Sequence, residues 1–159
     1  PALIMYEWAL SGLGKLGWLA AFIYVVGAAL RLARFNTQLG TADKHSFIGL
    51  PSPSAAAVVM GLIWALNSYG VPGKEISIIA LLFTIIAGIL MVSNVPYRSF
   101  KDINIKGRVS FMAVLAVPLV LVLVLLDPPQ VLFGLFLVYV LSGPFSYLYQ
   151  RARGKSKKS

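Results

Sequence analysis

The sequence has no cysteine and a single histidine, His45, among its 159 residues. Disulfides, thiolate metal sites and a histidine cluster are therefore excluded. Acidic residues are nearly as scarce: Glu7, Asp43, Glu75, Asp102 and Asp127 are all there are. No two of them are spaced to face one another on a helix, and two-metal chemistry on phosphates needs clustered carboxylates. The first residues lack the basic region, short apolar core and small-residue cleavage site of a signal peptide. Residues 1–13 read instead as the latter part of a membrane helix, and the chain as the C-terminal portion of a longer protein.

What the chain has in plenty is apolar residues. At 58% hydrophobic and a mean hydropathy of +0.83, it carries more apolar surface than a soluble domain of this length could cover. The bilayer has to be its solvent. The formal charge of +9 could suggest nucleic acid, but the basic residues sit in loops and at the end of the chain, where helix orientation against an anionic leaflet requires them. No nucleic-acid partner is expected; membrane lipids are.

Charge-free runs cover residues 16–30, 54–69, 76–95, 109–126 and 131–149, against about 20 residues needed to cross a hydrocarbon core. The expected fold is an all-α polytopic transmembrane bundle with five full spans plus the end of a sixth. Residues 1–150 form one transmembrane domain and 151–159 a basic cytoplasmic tail. Ser52 suits an N-cap and Pro53 the first helical position, and residues 127–130, Asp-Pro-Pro-Gln, suit a tight hairpin. Residues 94–107 read as a stretch at the membrane interface.

If the spans alternate, twelve of the fourteen Lys and Arg fall on one side and only Lys15 and Lys74 on the other. By the positive-inside rule the RLARFN loop, the YRSFKDINIKGR loop and the C-terminus face the cytoplasm. Small residues Gly27, Ala28, Ala57 and Gly61 permit close helix packing. They do not say against whom, and a homodimer is among the arrangements left open.

Candidate chemistry concentrates at the cytoplasmic ends. Arg31 and Arg34 are three apart and share a helical face. One reading makes them anchors that snorkel to the interface. The other makes them a cationic pocket, since the guanidinium fork binds phosphate or carboxylate bidentately. Asn36 follows with donors and an acceptor, and Gly49, Pro51 and Ser52 form a turn into a helix whose N-terminus attracts anions. Pro51 and Pro53 are equally explained by helix initiation alone. Glu7 stands within an apolar segment, either as an intramembrane carboxylate or at the outer interface beside Trp8.

The runs GAALRLARFN, FIGLPSPSAAA and MVSNVPYRSFKDIN resemble the C-terminal part of the bacterial membrane-bound phosphatidylserine synthases, of the CDP-alcohol phosphatidyltransferase family. The resemblance covers essentially the whole chain. It implies transfer of a phosphatidyl group from CDP-diacylglycerol to L-serine, releasing CMP, in the bacterial cytoplasmic (inner) membrane. It also implies a divalent cation, Mg or Mn, held by the aspartates of a signature that is absent from this chain. Ala33-Arg34 repeats the signature's Ala-Arg pair, but no Asp-Gly precedes it. These residues alone are therefore expected to be inactive, with no catalytic or metal-binding residue among them. Arg31, Arg34, Asn36, Gly49, Pro51 and Ser52 would line the substrate pocket. The alternatives are a sister enzyme using glycerol phosphate or inositol phosphate, or a non-enzymatic transporter or structural subunit. A transporter should show repeats with broken helices, and none is seen.

Overall fold

A chain this apolar has to satisfy its backbone polar groups within its own segments, and most of it is helical. The computed structural model describes residues 1–38, 46–98 and 111–156. Helix α1 (Ala2–Met5) runs on through a π-helical turn, Tyr6–Leu10, and a 3-10 turn, Ser11–Leu13. Helix α2 is Lys15–Gln38, α3 is Ser52–Ser68, α4 is Ser77–Val92 preceded by a 3-10 turn at Gly73–Ile76, α5 is Phe111–Leu126 and α6 is Pro128–Ser156.

Among the described residues three helices are long and apolar enough to cross a membrane, Lys15–Thr37, Gly73–Val92 and Pro128–Tyr147, rather than the five expected. The described parts of α3 and α5 have 17 and 16 residues, roughly 25 Å each at 1.5 Å per residue, short of a hydrocarbon core of about 30 Å. The outward faces are those of a membrane protein nonetheless. Leu125 and Leu126 on α5 and Ile78 on α4 are 72%, 77% and 69% exposed, an apolar display that water would not tolerate on this scale.

The described residues are mostly helical, as the all-α expectation has it, with one short ribbon added. Strands β1 (Ser46–Ile48) and β2 (Pro96–Arg98) pair antiparallel, with Ser46 opposite Arg98, Phe47 opposite Tyr97 and Ile48 opposite Pro96. The ribbon occupies part of the stretch read as interfacial; residues 99–107 lie outside the described residues. It lets two polar connections satisfy their backbone groups on each other where no helix continues.

Helix ends also differ from the sequence reading. The helix carrying Arg31 and Arg34 does not close there but continues to Gln38. Pro51, not Ser52, is the N-cap of α3, and Ser52 makes no capping hydrogen bond. Of the four-residue hairpin only Asp127 lies between helices, because the ring of a proline fits the first turn, where its missing N–H costs nothing. The expected tail is helical through Ser156; Gly154 within it weakens the helix without ending it. Helix α3 ends in a Schellman motif: Gly70, at φ +70°, donates to Asn67 O at 3.0 Å and Val71 donates to Leu66 O at 3.1 Å.

Helices α2 and α4 lie side by side and parallel, crossing where Gly27 meets Gly88. A Cβ on Gly27 would lie 2.5 Å from the Gly88 carbonyl oxygen, so only glycine permits this approach. Around the crossing Ala20, Ala21, Tyr24, Ala80, Ala87 and Met91 are buried. Helix α3 packs on α6, with Gly61 against Phe133 and Gln130 bonded to Ser68. Lys15 and Lys74 consequently lie at one end of the bundle and Arg31 and Arg34 at the other. Helix α6 starts at the lysine end and runs out past the arginine end.

Candidate functional site

At the arginine end, segments distant in sequence converge. Arg31, half-buried, donates from Nη1 to Ile48 O at 3.3 Å and to Met91 O at 3.5 Å. Met91 is in the last turn of α4, where terminal carbonyls lack intrahelical partners and a cation is favoured. Arg34 donates from Nη2 to Asn94 Oδ1 at 2.8 Å, across 60 positions of sequence. One guanidinium thus supports backbone, while the other is held by a single neutral amide.

Gly49 sets the turn between them. Its φ is +82°, and a Cβ there would lie 2.5 Å from Met91 O, 3.0 Å from Ser93 O and 3.1 Å from Arg31 Nη1. Glycine is needed twice, for the dihedral and for the space. The Gly49 amide donates to Val95 O at 2.8 Å and the Leu50 amide to Leu90 O at 2.9 Å. These bonds bring Pro51 and the N-terminus of α3 against the end of α4. The expected group Arg31, Arg34, Gly49, Pro51 and Ser52 is therefore brought to one end. Asn36 is exposed on the continuing helix and, two residues past Arg34, points about 200° away around the axis; it does not join them.

Residues unremarked in the sequence complete the site. Asn94 holds Arg34. Tyr97, 1% exposed, donates its hydroxyl to Val140 O on α6 at 3.0 Å and packs against Tyr139 with centroids 5.6 Å apart. Burial pushes the Tyr97 hydroxyl up to about 12, with Tyr139 adding to the rise and Arg31 opposing it. An apolar groove of about 440 Å³ between α2 and α4, lined by Phe22, Val26, Leu30, Ile89 and Val92, ends at Ser93 beside this cluster.

The chemistry of these donors is that of anion recognition and not of metal binding. Among the described residues no three His, Asp or Glu side chains come together. The described carboxylates lie elsewhere: Glu75 lines a cleft with Lys74, Asp127 faces Gln130, and Glu7 is exposed in the turn before Trp8, whose backbone abuts Gly73. The described residues therefore do not by themselves make a site for a divalent cation.

Fold and site together define a helical membrane protein that gathers two arginines, a glycine turn and a helix N-terminus at one end of its bundle. The chain is similar over most of its length to several CDP-diacylglycerol--serine O-phosphatidyltransferases. It is 34% identical to that of Helicobacter pylori (strain ATCC 700392 / 26695) over 139 residues, 87% of this chain and 58% of that protein. It is 30% identical to that of Methanocaldococcus jannaschii over 148 residues, 93% of this chain and 62% of that protein. It is 27% identical to that of Mycobacterium leprae over 156 residues, 95% of this chain and 52% of that protein. The chain spans about half to three-fifths of the length of these relatives, which fits the C-terminal portion that the sequence resemblance implies. No protein-family model matches it.

Proposed function

We propose that this chain forms the basic wall of a phosphatidyltransferase site, in an enzyme of phospholipid biosynthesis that moves a phosphatidyl group from CDP-diacylglycerol to the hydroxyl of L-serine and releases CMP. The observation that carries the reading is the convergence of Arg31, Arg34 and the Gly49 turn at one end of the bundle, in a chain whose relatives bear that enzyme's name. Arg34 is the group we assign to substrate. The only hydrogen-bond partner of its guanidinium among the described residues is the neutral Asn94, so a phosphate or the serine carboxylate gains a charge-assisted bond without displacing an ion pair. Arg31, bonded to two carbonyls, supplies charge nearby and fixes the turn.

The groove between α2 and α4 offers an apolar path beside the arginines, suited to the tails of a lipid substrate. The basic end faces the cytoplasm of a bacterial inner membrane in this reading, as its arginines favour. A divalent cation, Mg or Mn, would be held by carboxylates outside this chain, and the residues described here are inactive by themselves.

Arg34→Ala in the complete enzyme is the test. Loss of one charged hydrogen bond, about 1.5 to 3 kcal/mol, should raise the KM for serine or CDP-diacylglycerol about ten- to a hundredfold or abolish turnover. Unchanged kinetics would defeat the role of Arg34. Turnover with glycerol phosphate or inositol phosphate in place of serine would instead assign a sister enzyme, and no turnover with any acceptor would assign a non-enzymatic protein.

A further inference from the structure

Helix α6 carries Gly143-Pro144 in its interior. Proline at 144 has no N–H to donate to the carbonyl four residues earlier, and its ring pushes that carbonyl aside. The carbonyl is that of Val140, and the Tyr97 hydroxyl is the group that donates to it, at 3.0 Å. Gly143 provides the matching space: a Cβ there would clash with the Tyr97 ring and its hydroxyl. The Gly-Pro pair thus makes both a notch and an unpaired acceptor, and one tyrosine fills both.

Tyr97 in turn belongs to the ribbon. It pairs with Phe47, and its neighbour Pro96 pairs with Ile48. The Ile48 carbonyl receives Arg31 Nη1, and Val95 O receives the Gly49 amide. The path from α6 to the Arg31 guanidinium is therefore continuous through hydrogen bonds and two paired residues. Elsewhere α6 is tied to α3 near its opposite end, at Phe133 and Gln130.

We propose that Tyr97, seated in the Gly143-Pro144 notch of α6, is a positioning residue that fixes the Gly49 turn and the Arg31 guanidinium at the substrate site. The assignment to a substrate site rests on the function proposed above; the mechanical coupling does not. Two readouts keep them apart in the full-length protein in detergent micelles: amide hydrogen exchange at Gly49 and Leu50, and the serine KM and kcat.

Tyr97→Phe keeps the ring and leaves Val140 O unpaired, so exchange at Gly49 and Leu50 should speed up about tenfold, with the amides of α2 and α4 around Gly27 and Gly88 unaffected. Serine KM should rise several-fold with kcat within about twofold. Pro144→Ala restores an N–H for Val140 O. In that background Tyr97→Phe should change both readouts less than about twofold, a coupling that a double-mutant cycle measures. Gly143→Ala should reproduce the Tyr97→Phe effects by closing the notch. Unchanged exchange in Tyr97→Phe would overturn the coupling, as would an equal effect with and without Pro144. Faster exchange with unaltered KM would overturn the positioning role and leave a structural tie. If the wild-type protein transfers nothing to serine, the proposed function falls and the exchange cycle still decides the coupling.

Discussion

Replacing Gly27 by Val tests whether the α2–α4 crossing holds the bundle together. The first added carbon would meet the Gly88 carbonyl oxygen at 2.5 Å, its carbon at 3.1 Å and the Gly88 Cα at 3.2 Å. All three are backbone atoms, so no side chain can swing away. A relaxed C···O contact is about 3.3 Å, which asks the helices to part by nearly an ångström over a face that buries Ala20, Tyr24, Ala87 and Met91. Overpacking of this kind costs about 1 to 3 kcal/mol, and the better helix propensity of valine returns only about 0.4 kcal/mol. A net loss near 2 kcal/mol, about thirtyfold in the folded-to-unfolded ratio, is expected. The matched control is Gly134→Val on α6, where an added Cβ meets nothing within 4 Å; it should be neutral or slightly stabilising. Denaturant titration of both variants of the full-length protein in micelles, followed by far-UV circular dichroism, measures the difference. Equal stability of the two variants would show that the crossing is not as tight as reasoned.

Other perturbations follow from the same geometry. Gly49→Ala forces a side chain into φ +82° and against Met91 O, which should cost about 1 to 3 kcal/mol and lower transfer activity; an active, equally stable variant would contradict the turn's role. Tyr97 titrates above the ordinary tyrosine value of about 10, so its contribution to stability is complete below that pH and is lost as pH rises through about 12. Tyr97→Phe should abolish that part of the alkaline destabilisation, read from unfolding midpoints between pH 9 and 12 on the order of one unit apart. These residues contain no cysteine, so in a protein cleared of any cysteine elsewhere Asn36→Cys and Lys74→Cys give topology probes at two exposed positions. An impermeant maleimide on intact cells should label position 74 and not 36, and labelling of both would break the proposed orientation.

The sequence made the membrane class and the clustering of Arg31 and Arg34 legible because both depend on local pattern: charge-free runs, and a three-residue spacing on one helical face. The ribbon was not legible. Each strand has three residues, too few to show alternation, and their pairing joins Ser46 to Arg98 across a gap that no local signal spans. Glycine at 27 was visible as a small residue, but its partner Gly88 is fixed only by how α2 lies on α4. Asn36 stands apart from the arginines because α2 continues past them to Gln38, and where a helix ends in a polar stretch depends on context more than on propensity. Tyr97 carried a faint signal: Pro144 inside a charge-free run implies an unpaired carbonyl and hence a donor somewhere. Which donor it is follows only from the fold.

Arg31 has a consequence for how this end of the protein can vary. Its Nη1 closes off carbonyls from two different segments, Ile48 and Met91, so truncating it strands two acceptors at once. A side chain with no donor at that spot leaves both of them unpaired. Positions 31, 48 and 91 are thereby locked into a common fate: drift in the backbone at either acceptor has to be matched by the guanidinium, and a library of changes at 31 alone should yield almost nothing that folds and works.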